Sequence, residues 1–367
     1  MAEIRVEGLH KAFGDFVAVR ESSFSVRDGD FFCLLGPSGC GKTTTLRMIA
    51  GLELPSAGRI FLGGEDVTYK RASHRDIAFV FQLFALYPHL NVRANIAYPL
   101  KCQGVASAEV RARVEEAARI LRITHLLDKS VSGLSSGDRQ RVALGRAIVR
   151  KPLAFMMDEP LGALDAEFRE LMCGELRALH DRLGATTVYV THDQMEAMAM
   201  ADTIAIMNRG VIEQLGPPQE VYDRPASVFV ADFIGAPSMN FIPFAGAYPA
   251  GTREVALGAV RVAVPALTEG VSERALLCGV RPEHVRFDAA SALRAEVVGT
   301  EYLGHSQIVT LTTAVGSLLR AKVGVEVAAQ RGDRVGLAFD AHAVSLFDQQ
   351  SGRALGLDRL DRKLAHG

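Results

Sequence analysis

The sequence predicts an α/β core built around a phosphate-binding loop and carrying a helical insertion, followed by a small all-β domain. Three observations predict this. Gly36, Pro37, Ser38, Gly39, Cys40, Gly41, Lys42, Thr43 and Thr44 run consecutively and fit the spacing G-x-x-x-x-G-K-[ST]. The apolar run Phe31–Leu35 before them reads as a buried strand, and Thr43–Ala50 reads as a helix that stops at Gly51. From about residue 236 the texture changes to short β-like runs divided by Gly, Pro and charged turns.

The loop carries the first chemical expectation. Its glycines let the backbone turn so that successive N–H groups point at phosphate oxygens. The helix that follows adds the partial positive charge of its N-terminus. Lys42 is expected to bridge the β- and γ-phosphates, and Thr43 to offer its hydroxyl to Mg²⁺. A glycine-rich turn with no ligand is the alternative, but the strand–loop–helix context favours a bound nucleoside triphosphate. Cys40 lies inside the loop near a helix N-terminus, a setting that can favour thiolate; inhibition by a thiol reagent, prevented by ATP, would follow.

Composition bounds the rest. A length of 367 residues suggests two domains. A net charge of -1 and a pI near 6.8 give no basic field for nucleic acid. The five cysteines (Cys33, Cys40, Cys102, Cys173, Cys278) lack metal or disulfide spacing and fit a reducing cytoplasm. The N-terminus begins as an alternating strand rather than a signal peptide, and no apolar run is long enough to span a bilayer. A protein soluble on its own is expected.

Along the chain, Ile4–Leu9 and Val17–Val26 alternate apolar and polar residues around a turn at Phe13-Gly14-Asp15, as an antiparallel hairpin does. Phe13 can stack on an adenine ring or simply pack the hairpin. Asp76–Phe81 reads as a buried strand ending at Gln82, level with the phosphate loop, where ligands bind in open α/β sheets. The apolar, aromatic stretch Phe84–His89 looks too greasy for an idle loop. From Ala106 to about Leu127 the pattern is helical, with Val110, Val114, Ala117, Ala118 and Leu121 on one face.

Leu134, Ser135, Ser136, Gly137 and Asp138 form a Ser/Gly-rich turn opening into a basic helix, Arg139–Lys151. Such a turn is an anion site of the same physical type as the first loop, while the arginines alone read as a solvated face. Ala154–Met157 is an apolar strand ending in Asp158-Glu159-Pro160. Asp158 is the expected Mg²⁺ anchor, and Glu159 the candidate general base; two neighbouring acids capping a helix is the bland reading. Asp165 follows on a short loop, then the helix Ala166–Leu183 and the strand Thr187–Val190. His192 stands at that strand's end, where a γ-phosphate contact is expected rather than a core role.

These pieces, in this order, resemble the ATP-binding subunits of ABC transporters over about residues 3–235. The match comprises the Walker A loop Gly36–Thr43, the Q-loop Gln82, the signature turn Leu134–Asp138, and the Walker B strand ending at Asp158. It continues with the catalytic Glu159, the D-loop Asp165 and the switch His192. The resemblance implies that Phe13 stacks the adenine, that Gln82 joins the Mg²⁺ site, and that the P-loop of one subunit and the signature turn of another clamp one ATP. Because each motif occurs once, it implies a dimer with two interfacial sites. The usual signature is Leu-Ser-Gly-Gly-Gln; Ser136 and Asp138 depart from it, so a modest rather than abolished ATPase is expected.

After the core, Gln219–Phe233 looks helical and Gly235-Ala236-Pro237 reads as a boundary. Runs at Val260–Val264, Ala275–Val280, Ala295–Val298, Gln307–Leu311, Ser317–Val323, Arg334–Phe339 and Ala343–Phe347 argue for a small β-barrel or sandwich, with an OB-like barrel favoured. Ile234–Phe241 and Gly279–His284 resemble the C-terminal regulatory domain of importer ATPases of the maltose and glycerol-phosphate type. Arg281 and Glu283 are either regulatory contacts or a turn-stabilising pair.

The expected layout is an ABC ATPase domain over 1–235 with its helical subdomain at about 84–150, a regulatory barrel over 236–348, and a polar tail over 349–367. The resemblance implies ATP and Mg²⁺ as cofactors, a second ATPase subunit, two integral-membrane permease subunits and an extracytoplasmic solute-binding protein. It places the chain at the cytoplasmic face of the cell membrane, importing a sugar, polyol or glycerol derivative. Iron, polyamine and phosphonate importers share the layout; a non-transport ABC ATPase and a small-molecule kinase are the competing classes.

Overall fold

The computed structural model describes residues 2–82, 84–162, 164–314 and 316–359. The chain forms two compact units that part between Pro218 and Gln219. The first unit runs β1 (Ile4–Phe13), β2 (Phe16–Val26), β3 (Phe31–Leu35), α1 (Lys42–Ile49), β4 (Ala57–Leu62), β5 (Glu65–Asp66) and β6 (Ile77–Val80). It continues with α2 (Val92–Cys102), α3 (Ser107–Ile120), α4 (Ser136–Ile148), β7 (Ala154–Asp158), α5 (Ala166–Leu183), β8 (Thr186–Thr191), α6 (Gln194–Met200), β9 (Thr203–Asn208) and β10 (Val211–Gly216).

Two sheets result. The alternating hairpin β1–β2 joins β4 and β5 in an antiparallel sheet ordered β2-β1-β4-β5, with Ile4, Val6 and Leu9 turned into the core. The second sheet is ordered β10-β9-β3-β8-β7-β6, and its β9, β3, β8, β7 and β6 run parallel. In β3 and β8 every residue is buried, as a strand covered on both faces requires. Consequently the residues that follow β3, β6, β7 and β8 all emerge at one carboxyl edge.

Helix ends are set by side chains visible in the sequence. Ser135 caps α4 and Asp165 caps α5, each accepting from a backbone N–H one turn on, and Gly184 ends α5 in the left-handed region. The basic helix thus begins at Ser136 rather than at the expected Arg139. Arg139 is exposed, but two of the helix's arginines are not solvated: Arg141 forks onto Glu175 on α5, and Arg146 donates to Phe84 O and Ala85 O at 2.9 and 2.7 Å.

Arg75 is a feature the sequence did not single out. Only 1% exposed, it donates to Met48 O and Ile49 O at the end of α1, and to Thr68 O and Lys70 O. The buried guanidinium thereby satisfies carbonyls that the helix end leaves without partners.

The second unit is all-β beyond two short helices, Pro218–Asp223 and Val228–Phe233. Three strands (Asn240–Tyr248, Val271–Val280, Ser345–Asp348) form one antiparallel sheet, and five short strands between Val285 and Phe339 form another. Leu276, Val280, Val309, Leu311 and Leu346 share its core. Asn240–Tyr248 was not among the expected strands because Pro243, Gly246 and Asn240 disguise it; it is an edge of its sheet, where proline is tolerated. The expected polar tail is partly built in, since Leu357–Asp358 pairs with Ala266–Leu267.

Arg281 is a structural residue of this unit. It is 2% exposed, stacks over the Tyr222 ring at 3.7 Å, and donates to Tyr222 O and Ile234 O, while Tyr222 donates its hydroxyl to Glu283.

Candidate functional site

The phosphate loop leaves β3 at the carboxyl edge. Gly36 follows the strand, Pro37, Ser38 and Gly39 arch outward, and Gly41 caps α1 at φ 108°. A Cβ on Gly41 would also stand 2.5 Å from Ala18 O, so both conformation and space demand glycine. Lys42, only 4% exposed, directs Nζ back over the loop to Gly36 O and Pro37 O at 2.8 and 2.9 Å. Thr43 and Thr44 start the helix, half-buried.

Cys40 corrects the thiolate expectation. Its side chain is packed inside the loop at 4% exposure, and burial pushes the thiol up despite the ammonium of Lys42 at 3.8 Å. Desolvation outweighs the cation and the backbone N–H groups of Cys40 and Lys42 together.

Across the sheet, Thr43 donates its hydroxyl to Asp158 Oδ1 at 2.8 Å. Burial raises the Asp158 carboxyl above its usual range, against the lowering effect of that hydrogen bond. Hydroxyl and carboxylate form the oxygen pair that a hard divalent cation takes beside phosphates. Among the described residues no three His, Cys, Asp or Glu side chains converge as an all-protein cage, and Mg²⁺ bound through phosphates needs none.

Glu159 sits immediately beyond, at φ 42°. Its N–H donates to Val190 O at 3.0 Å, which holds this sparsely populated backbone conformation in place. Gln82 Nε2, after β6, donates to Glu159 Oε2 at 3.3 Å, and His192 Nδ1, after β8, lies 3.3 Å from the same oxygen. Half of the His192 side chain is exposed, so it is no core histidine. Asp193 anchors the loop by capping α6 and pairing with Arg169 at 3.1 Å, and Arg169 also holds Leu164 O beside Asp165.

Phe13 lies apart from this cluster, 48% exposed at the tip of the β1–β2 hairpin. The signature-like turn is likewise separate. Ser135 accepts from Asp138 N at 3.1 Å and donates to Asp138 Oδ2 at 2.8 Å. A Cβ on Gly137 would fall 2.1 Å from the Phe168 ring, which would have to move; Ser136 is half-buried. One chain therefore joins Lys42, Thr43, Asp158, Glu159, Gln82 and His192, and leaves Ser135, Gly137 and Asp165 out of that group.

Residues 19–162 match the ABC transporter family and residues 278–347 the TOBE domain family. The trehalose/maltose import ATP-binding protein MalK of Thermococcus litoralis is 47% identical, over 97% of this chain and all of that protein. The trehalose import ATP-binding protein SugC of Mycobacterium tuberculosis is 44% identical over 97% of this chain and 98% of its own length. The chain belongs to the ATP-binding proteins of ABC transporters.

This ABC protein is also similar, at 43% identity over 97% of its length, to the sn-glycerol-3-phosphate import ATP-binding protein UgpC of Cereibacter sphaeroides, all of which it spans. Among solved structures, cbiO1 of Clostridium perfringens, part of the ABC transporter complex cbiONQ, superposes with a TM-score of 0.56 at 28% identity, covering 59% of this chain and 89% of that one. A dimeric ATP-binding cassette in a post-hydrolysis state with ADP and Pi gives a TM-score of 0.53, also at 28% identity, over 59% and 98% of the two chains.

Sequence reasoning missed Arg146, Arg169 and Arg75, each of which reaches a partner more than twenty residues away (Phe84, Asp193 and Met48) that leaves no local signal. It also missed Lys11, which lies two residues before Phe13.

Proposed function

We propose that this chain is the ATP-hydrolysing subunit of an ABC import complex. It works as a dimer on the cytoplasmic face of the membrane, with two permease subunits and an extracytoplasmic solute-binding protein. The observation that carries the reading is the shared grip of Gln82 and His192 on Glu159, one residue beyond the Thr43–Asp158 pair. No helix of the described residues is long and apolar enough to cross a membrane.

Lys42 and the loop N–H groups bind the β- and γ-phosphates, and Phe13 takes the adenine face. Thr43, Asp158 and Gln82 would hold Mg²⁺, which neutralises developing charge on the phosphates. Glu159 accepts a proton from the attacking water, and His192 contacts the γ-phosphate. Ser135, Ser136, Gly137 and Asp138 of a second subunit close over the same nucleotide, with Asp165 at the interface. Loss of the γ-phosphate then releases the two halves, and Gln82 with Phe84–His89 passes the motion to the permease.

The solute is a sugar, polyol or glycerol derivative, in keeping with the trehalose/maltose, trehalose and sn-glycerol-3-phosphate import for which the MalK, SugC and UgpC relatives are named. Glu159→Gln preserves the side-chain shape and removes the base. Turnover is expected to fall about 10²–10⁴-fold while ATP binding persists and a dimer accumulates in light scattering. Near-normal hydrolysis by that variant would remove Glu159 from the role of base.

A further inference from the structure

We infer that Lys11 positions the base-stacking ring of Phe13, and so sets how strongly this chain prefers a purine nucleotide over a bare polyphosphate. The inference rests on the nucleotide reading above. Lys11 and Phe13 are two residues apart on β1, so both side chains leave the same face of the strand. Lys11 Nζ stands 4.6 Å from the centroid of the Phe13 ring. The same ammonium donates to Leu54 O at 2.8 Å and pairs with Glu53 Oε1 at 2.7 Å.

Glu53 and Leu54 belong to the turn that leaves α1, whose other end is the phosphate loop. That turn is sewn to β1 by Ala12 N to Ser56 Oγ at 3.1 Å and by Ser56 N to His10 O at 2.8 Å. Lys11 is therefore a strut between the aromatic ring and the helix that carries Lys42 and Thr43. Its side chain is only 12% exposed, whereas Phe13 is 48% exposed. One ring face is covered by a cation and the other remains open.

An aromatic side chain at a hairpin tip would otherwise sample several rotamers. Attraction between the ammonium and the ring face holds one of them, so a purine meets a prepared surface and less ordering cost opposes its binding. The cation also draws π density toward its own side, which eases the approach of an electron-rich base to the other face.

The test titrates full-length protein and its Lys11→Met, Lys11→Arg and Phe13→Ala variants with MgATP, and with tripolyphosphate as a competitor. Lys11→Met keeps the aliphatic stem and is expected to weaken ATP about fivefold, leave tripolyphosphate unchanged, and be rescued by Lys11→Arg. Phe13→Ala is expected to weaken ATP about tenfold, again with tripolyphosphate unchanged. Equal losses for both ligands in Lys11→Met, or a loss in Phe13→Ala alone, would overturn the positioning role. If Phe13→Ala leaves ATP binding intact, the stacking reading itself falls.

Discussion

Thr43 and Asp158 are joined by a 2.8 Å hydrogen bond across two strands of the parallel sheet, with the hydroxyl donating. The contact fixes the start of α1 against the end of β7. Asp158→Asn keeps an acceptor for Thr43 and removes the charge. The fold should therefore hold, while the Mg²⁺-dependent part of ATP binding should weaken roughly 10–100-fold. Calorimetric titration with and without Mg²⁺ checks this; an unchanged Mg²⁺ dependence would release Asp158 from the metal site.

Asp138 holds the hydroxyl hydrogen of Ser135, the group that the proposed function turns toward the nucleotide of a second subunit. The two demands compete for one proton. Asp138→Gln removes the competitor and the negative charge near the phosphates, and Ser136→Gly removes a side chain where the backbone approaches them closely. Each is expected to raise ATP turnover several-fold, Asp138→Gln because it gives up a charge-assisted hydrogen bond of about 1.5–3 kcal/mol and Ser136→Gly because it lets the backbone approach. Turnover equal to that of the parent chain in both would show that these departures cost nothing.

In the second unit, Arg281 ties the Tyr222 and Ile234 carbonyls together from a buried position. Arg281→Ala leaves these buried acceptors unmet and should cost about 3 kcal/mol. Arg281→Lys should recover little, because an ammonium cannot fork to both or stack on Tyr222 in the same way. Denaturant melts of the variants give the measurement, and a melt unchanged by Arg281→Ala would return Arg281 to the regulatory reading.

Asp348 gives the acid limb of stability a defined contributor. The Ser351 N–H, then Arg274 and the Ser351 hydroxyl, lower its carboxyl to about 2. A depressed carboxylate stabilises the fold in full above its unfolded value, near 3.9, and the contribution disappears as pH falls toward about 2. Thermal melts between pH 5 and pH 2 should therefore lose less stability in Asp348→Asn than in the parent chain. Parallel acid limbs would remove Asp348 from this role.

The local pattern of the sequence determined the phosphate loop and the acid pair at the end of β7, because each depends on neighbours a few residues away. Lys42 and Thr43 were legible from the loop's spacing, and Asp158, Glu159, Gln82 and His192 because each stands at or just past the end of an apolar strand, and parallel strands deliver their ends to one edge. Tertiary structure decided what depends on distant partners. It turned Cys40 from an activated thiol into a buried one, because packing is a property of the surroundings and not of the helix position. It gave Arg75, Arg146 and Arg281 their carbonyls, which a basic residue in a sequence does not announce. It set Lys11 beneath Phe13 by folding the turn after α1 against β1, a contact between segments some forty residues apart.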